Sequence, residues 1–251
     1  MSDSDSDSDS DGPLPVIHEA VHALDIDALR RALAAGSSIE ETDGFGWTPL
    51  YRACKCDDDY NSIPEYWNKR ISDRVAMVRA LLENGASVHA RCDEDDDTPL
   101  LAAVMNEEFP SNDIVEMLIA AGADIEAADN ADFCVLYAAA QRGRADTVAR
   151  LLAAGADPHR IHPVCGYTAL DGATATHNYR TYAPLIRAGA TLPPESRRNA
   201  YLKKIATPGG YPAYERAHRT RLAAIFVPKL PRLPVEVIHH IVSIWADCGG
   251  H

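Results

Sequence analysis

The stretch Asp43–Cys54 reads DGFGWTPLYRAC, and fifty residues later Asp93–Val104 reads DEDDDTPLLAAV. Both stretches contain Thr-Pro-Leu, and in both an Asp stands five residues before the Thr. A Thr caps the N-terminus of a helix well and a Pro fits its first turn, so the phrase predicts a helix start. Its recurrence indicates a chain that is built of repeats.

Five similar phrases are spread along the chain, and each of them ends at a glycine. The residues eight, seven, four and three positions before each glycine are mostly apolar, a spacing that places them on one face of a helix. The glycine predicts the end of that helix, because it adopts the left-handed conformation at low cost. Against the shortest copies, the second carries 16 extra residues and the third carries 3. The five glycines are Gly36, Gly85, Gly122, Gly155 and Gly189.

The pattern Asp-x-x-Gly-x-Thr-Pro-Leu, then a short helix and a Leu-Leu-x-x-Gly-Ala helix end, resembles the ankyrin repeat. The resemblance covers residues 14–192 and implies an all-α fold, a solenoid of five helix-turn-helix repeats with projecting hairpins. Copies one, four and five lack a complete Thr-Pro-Leu. The family's usual His after this phrase is present only as His18.

The extra residues of the second copy place an insertion at about residues 55–74, between its two helices. A turn there tolerates extension because the entropy of loop closure grows slowly with length. The insertion holds Tyr60, Tyr66 and Trp67, a large aromatic content for a connecting loop. Two interpretations stay open: an added partner contact, or rings that pack back on the second helix.

Both ends of the chain differ from the repeats. Residues 1–13 form an acidic Ser/Asp tail that we expect to be disordered, either solubilising or a substrate of an acid-directed kinase. Residues 193–251 form a basic extension with four acidic and nine basic side chains, whereas residues 1–192 hold 33 acidic and 15 basic ones.

The extension contains LPRLPVEVIHHIVSIW, which resembles the opening of an F-box. The spacing of its apolar residues predicts one helical stripe. Two interpretations stay open: the helix caps the open end of the repeat array, or it docks on an adaptor of a cullin-type ubiquitin ligase. The residues that would serve either role are Leu233, Pro234, Val237, Ile238, Ile241, Val242 and Trp245.

Composition argues against several other classes of protein. The acidic body disfavours nucleic acid, and no apolar run reaches the roughly 18 residues of a membrane span. His18 and His22 have a zinc-compatible spacing but no third ligand nearby. We therefore predict no enzyme, no metal and no cofactor. Without an export signal, we expect a monomer in the cytoplasm or nucleus with reduced thiols.

The resemblance implies a protein–protein interaction scaffold that binds its partner on a concave face of hairpin tips and first helices. Three of four tip positions just before the Thr carry aromatic rings, and acidic residues between them favour a basic partner. The alternative is that the rings only brace neighbouring hairpins. The predicted partner-binding residues are Phe45, Trp47, Asp95, Asp97, Met105, Asn106, Phe133, Gln141, Arg142 and Tyr167.

Overall fold

The computed structural model describes residues 14–55, 67–92, 95–106 and 111–192, the side chains of 67–69 excepted, and the single positions 202, 213, 216, 217 and 220. Within these ranges the chain forms ten α-helices and no β-strand. The predicted fold class, an all-α protein of helix-turn-helix repeats, is confirmed. The helices are α1 (Val16–His22), α2 (Ile26–Ala34), α3 (Pro49–Lys55), α4 (Trp67–Glu83), α5 (Pro99–Met105), α6 (Asn112–Ala120), α7 (Val135–Gln141), α8 (Ala145–Ala153), α9 (Ala169–Ala175) and α10 (Tyr182–Arg187).

The helices follow one another in five pairs, and each second helix ends at a predicted glycine. All five glycines have φ between +88° and +104°, the left-handed region that favours glycine. After α4, for example, the Gly85 N–H donates to the Leu82 carbonyl at 3.0 Å and the Ala86 N–H donates to the Leu81 carbonyl at 3.1 Å. This is the Schellman pattern, which satisfies the last carbonyls of the helix.

The apolar stripe of each second helix supplies the core. The residues seven and four positions before every glycine are buried, and the residue three positions before it is half-buried in all five copies. Burial of such side chains is the main stabilising contribution to the fold. The buried pairs are Leu29 and Ala32, Val78 and Leu81, Val115 and Leu118, Val148 and Leu151, and Tyr182 and Leu185.

The Thr-Pro phrase opens a helix as predicted, although not every repeat needs it. The Thr98 side chain caps α5 by accepting the Leu101 N–H, and Pro99 occupies the first turn. In the fifth pair, Thr168 caps α9 in a reciprocal box with Asp171. By contrast, α1 follows Pro15 without any side-chain cap, so packing also suffices to fix a helix start.

The chain divides into two compact units, residues 1–138 and residues 139–251. In the first unit, helices α1, α3 and α5 pack in one row and α2, α4 and α6 pack in a second row. In the second unit, α8 and α9 both pack against α10, which follows a 3₁₀ turn at Tyr179–Thr181. Each unit therefore buries apolar faces between successive repeats.

The predicted insertion is not a connecting loop throughout. Helix α4 begins at Trp67 and runs for 17 residues, whereas α2, α6 and α8 have nine each. Arg74, which is 4% exposed, donates a hydrogen bond to the Ala53 carbonyl of α3 at 3.3 Å. Residues 67–74 therefore lengthen the second helix and brace it on the first, contrary to the expectation of an extended turn.

Several predictions fall outside the described residues. They are the acidic tail at 1–13, the remaining insertion with Tyr60 and Tyr66, and the side chain of Trp67. The F-box-like stretch also lies outside, with Leu233, Pro234, Val237, Ile238, Ile241, Val242 and Trp245. The interpretations of these segments stay predictions.

One buried carboxylate ties the first two repeats together. Asp43 Oδ1 accepts the N–H groups of Phe45 at 2.9 Å and Trp47 at 3.0 Å, and Oδ2 accepts from Arg52 at 2.5 Å. His18 of α1 lies 3.8 Å from the same Oδ2. Burial raises the pKa of Asp43, but these hydrogen bonds outweigh it and hold the pKa below its usual value.

His18, the family's expected histidine, has a structural environment. Its side chain is fully buried, and Nε2 lies 2.6 Å from the Glu41 carbonyl oxygen. Burial lowers the pKa of His18, which favours the neutral ring. In the described ranges, no group of three or more His, Cys, Asp or Glu residues is placed to hold a metal ion.

We predict that Asp43→Asn lowers the free energy of unfolding by about 3 kcal/mol, because it leaves the Arg52 guanidinium buried without its counter-charge. The matched control is Asp129→Asn. Asp129 makes the same turn contacts, to the N–H groups of Ala131 at 2.9 Å and Phe133 at 2.8 Å, and pairs with no cation in the described part of the chain. Its replacement should cost under about 1 kcal/mol. Urea denaturation measures both, and equal losses would contradict the role of Arg52.

Candidate functional site

Three hairpin tips lie in the first unit, at residues 43–48, 95–98 and 129–133. Together they form the unit-1 hairpin surface. The first closes by a hydrogen bond from the Asp43 N–H to the Trp47 carbonyl at 3.1 Å. In the second, the Cys92 N–H donates to the Asp97 carbonyl at 3.1 Å, so this hairpin encloses one residue more than the first. The residue equivalent to Asp43 is therefore Cys92, and not Asp93 as the aligned phrases predict.

The aromatic part of this surface lies in the first hairpin. Phe45 is 45% exposed, and its ring centroid lies 5.4 Å from that of Trp47. Trp47 itself is only 9% exposed, with Tyr51 at 5.5 Å and the Arg52 guanidinium 5.2 Å from its ring. The expected exposure of Trp47 is therefore wrong: Trp47 braces the hairpin, and Phe45 is the accessible ring.

The acidic part lies in the second hairpin. Asp97 is 7% exposed and accepts a hydrogen bond from the Tyr51 hydroxyl at 3.4 Å, whereas Asp95 is exposed. The pKa of Asp97 is raised to about 6, mainly by burial; the Lys55 ammonium opposes this rise, and the nearby carboxylates of Asp129 and Asp95 add to it. The expected exposure of Asp97 is wrong, but the local excess of negative charge is present.

Backbone contacts join the second hairpin to the third. The Asn130 N–H donates to the Asp95 carbonyl at 2.9 Å. Arg91 donates to the Asp96 carboxylate at 2.6 Å and to the Ala128 carbonyl at 3.0 Å. The acidic hairpin is thus held in place by the Asp95 carbonyl and the Asp96 carboxylate, and the exposed Asp95 carboxylate is not used in these contacts.

The predicted residues at the end of α5 have unequal exposure. Met105 is half-buried, but Asn106 is 8% exposed. The Asn106 side-chain amide donates to the carbonyls of Cys54 at 3.3 Å and Lys55 at 3.1 Å, where α3 ends. Asn106 therefore satisfies the C-terminus of the preceding repeat's helix, and its expected exposure is wrong.

The remaining predicted residues fall on both sides of the boundary between the units. Phe133, in the first unit, is half-buried with its ring 5.4 Å from Tyr137. Gln141 and Arg142, in the second unit, are half-buried, and Tyr167 is 43% exposed. The structure thus places Phe45 against Trp47 and collects Asp95, Asp97 and Asp129 near one another. It gives no single site for all ten residues.

Sequence comparison missed Arg52, whose guanidinium holds the Asp43 carboxylate and lies over Trp47. A signal for it existed, because Arg52 stands four residues after its Thr, where copies three, four and five have small residues. Those residues are Ala102, Ala138 and Gly172. A charged side chain in an otherwise small, buried position indicates a paired partner.

We predict that Asp97→Asn stabilises the protein at pH 7.5 by about 1–3 kcal/mol. The folded pKa of about 6 lies above the ordinary value of 3.8. The folded state therefore holds the Asp97 proton more tightly, and stability is lost as the pH rises between these values. Asparagine carries no charge and keeps an acceptor for Tyr51, so its advantage should shrink towards pH 4.

The measurement is urea denaturation of wild type and variant at pH 4, 5.5 and 7.5. Asp95→Asn, at an exposed carboxylate in the same hairpin, is the control and should change stability by well under 1 kcal/mol. An Asp97→Asn effect that is the same at all three pH values would contradict the raised pKa.

A family model for ankyrin repeats (3 copies) matches residues 17–129 and 66–162. The two matches together span more than half of the 251 residues. A search of curated proteins found no match. The fifth helix pair, α9 and α10, lies beyond the matched span, so its assignment as a repeat stays a prediction. With the confirmed helix pairs and their glycine ends, the chain belongs to the ankyrin-repeat family.

Proposed function

We propose that this protein is a non-enzymatic interaction module that binds a protein partner on the unit-1 hairpin surface. Ankyrin repeats point to a role in protein–protein interaction. The observation that carries the finer proposal is an exposed ring, Phe45, in the hairpin next to a cluster of carboxylates. Aromatic side chains supply much of the energy of protein interfaces, and charges set their specificity.

The chemistry of this surface favours a partner with Lys or Arg side chains. Asp95 is exposed, and the raised pKa of Asp97 reflects burial together with repulsion from neighbouring carboxylates. A cation from the partner would relieve that repulsion. Lys55 supplies part of the compensation, with its ammonium 5.8 Å from the rings of both Trp47 and Tyr51.

The proposal gives the predicted residues different roles. Phe45 and Asp95 would contact the partner, with Met105 and Phe133 as half-buried flanking contacts. Trp47, Asp97 and Asn106 would hold these groups in place from below. Gln141, Arg142 and Tyr167 belong to the second unit and would form a separate contact region.

The remaining expectations are part of the same proposal. The protein would act as a monomer in the cytoplasm or nucleus, without metal, cofactor or nucleic acid. In the described part of the chain, no helix is both long and apolar enough to cross a bilayer.

Two substitutions test the hairpin surface in the full-length protein. Phe45→Ala removes the exposed ring, and Asp95→Lys reverses an exposed charge whose side chain makes no hydrogen bond or ion pair with the described residues. Asp113→Lys is the matched control, because it makes the same reversal at an exposed position of α6. The partner is recovered by cross-linking and mass spectrometry from the native cell, and its affinity is then measured with purified components.

We predict that Phe45→Ala and Asp95→Lys each weaken the affinity about tenfold or more, equivalent to about 1.4 kcal/mol. The melting temperature should shift little, and Asp113→Lys should leave the affinity unchanged. If the affinity falls only where the melting temperature falls as well, these residues have a structural role and not a recognition role. Affinities unchanged in both variants would place the partner elsewhere.

A second candidate function is that of substrate receptor for a cullin-type ubiquitin ligase. It is motivated by the F-box-like stretch that ends at Trp245, which lies outside both the described residues and the span matched by the family model. In this function the repeats hold a target and the C-terminal helix recruits the adaptor. The competing interpretation is that the same apolar stripe caps the repeat array.

We predict that Val237→Asp and Ile241→Asp each cost about 2–4 kcal/mol, either in adaptor binding or in stability of the array. Adaptor pull-down and thermal melting of the full-length variants separate the two interpretations. Loss of adaptor with unchanged melting supports the ligase function, and lowered melting supports the cap. If neither measurement changes, both interpretations fail.

A further inference from the structure

Exposed apolar side chains concentrate in one hairpin of the second unit. Six large apolar side chains are exposed in the described part of the chain, and three of them lie within residues 161–167, called the 161–167 hairpin here. Ile161 is 60% exposed, Val164 is 84% exposed and Tyr167 is 43% exposed, with the exposed Cys165 between them. Single exposed apolar residues are ordinary, but a cluster of this kind marks interaction surfaces.

The hairpin does not need these side chains for its own structure. His162, which is 8% exposed, organises it through three hydrogen bonds. Its N–H donates to the Tyr167 carbonyl and its carbonyl accepts the Gly166 N–H, both at 2.8 Å. Its Nδ1 accepts the Val164 N–H at 3.2 Å. Backbone bonds and one buried ring thus fix the loop, and the apolar side chains face solvent at a cost in solubility.

The charge around this hairpin is opposite to that of the first unit. Residues 139–192 carry six Arg and three Asp, whereas residues 14–138 carry 25 acidic and nine basic side chains. No carboxylate stands between Asp157 and Asp171, and that stretch contains Arg160. Asp171 is itself engaged, accepting hydrogen bonds from the Thr168 N–H and hydroxyl at 2.7 Å each.

We propose that the 161–167 hairpin is a second docking surface, which binds a protein segment with apolar side chains flanked by carboxylates. The apolar residues would contact the apolar side chains of the segment, and the net positive charge of residues 139–192 would attract its carboxylates. This partner differs in chemistry from the basic partner of the unit-1 hairpin surface. The protein would therefore have two docking surfaces, each for a segment of different chemistry.

The test uses a phage-displayed library of random peptides selected on the full-length protein. Selected peptides are sequenced, and representative synthetic peptides are titrated against wild type, Val164→Asp, Val16→Asp and Phe45→Ala. Val16 is the matched control, because it is 62% exposed but lies at the start of α1 in the first unit. Both aspartate substitutions are at exposed positions, so neither should change the melting temperature.

We expect a class of acidic, apolar peptides whose affinity falls at least tenfold with Val164→Asp and is unchanged by Val16→Asp and Phe45→Ala. Absence of any peptide class that responds to Val164→Asp would overturn the inference, as would a responding class that is basic. A basic class that responds only to Phe45→Ala would leave the unit-1 proposal standing while this one fails. The two proposals can thus fail separately.

Discussion

A single pair of short helices, most of which have seven to nine residues, cannot bury both of its faces, and this constraint governs the fold. The second helices solve it by presenting two buried apolar residues at the same distance from each closing glycine, as Val115 and Leu118 do before Gly122. Neighbouring repeats of the first unit supply the other side of the contact. Because much of the stability comes from these stacked helices, the exposed positions of the hairpin tips, such as Phe45, contribute little to core packing.

Polar side chains then fix how successive repeats meet. Asp43 connects its hairpin to α3 and to His18 of the repeat before, and Asn106 closes the end of α3 from the repeat after. Buried charges and amides of this kind are costly unless fully partnered, so they specify one arrangement of the repeats. Many of the polar residues that a comparison of the repeat sequences singles out therefore have a structural role. In the proposed function, the exposed Phe45 and Asp95 would make the contacts to the partner.

The helical stripes, the closing glycines and the Thr caps were predictable from sequence because each depends on residues a few positions apart. Local rules could not give the register of the hairpins: one extra residue makes Cys92, and not Asp93, the counterpart of Asp43. Burial of Asp97 and Asn106 also escaped prediction, since their partners Tyr51 and Cys54 lie about fifty residues away. In the hairpin at 161–167, Tyr167 was predicted, but the exposed Ile161 and Val164 were missed because only fixed positions before the Thr were compared between repeats.

Hydrogen–deuterium exchange of the full-length protein, alone and saturated with a captured partner, tests most directly whether the hairpins form the interface. Some backbone amides of the hairpin tips, such as those of Phe45 and Trp47, are hydrogen-bonded within the loop, and contact with a partner should slow exchange across the tips further. We expect protection at residues 43–48, 95–98 and 129–133 for a basic partner, with α2, α4 and α6 unchanged. Protection confined to those second helices, with unaltered exchange at the tips, would contradict a hairpin-based interface.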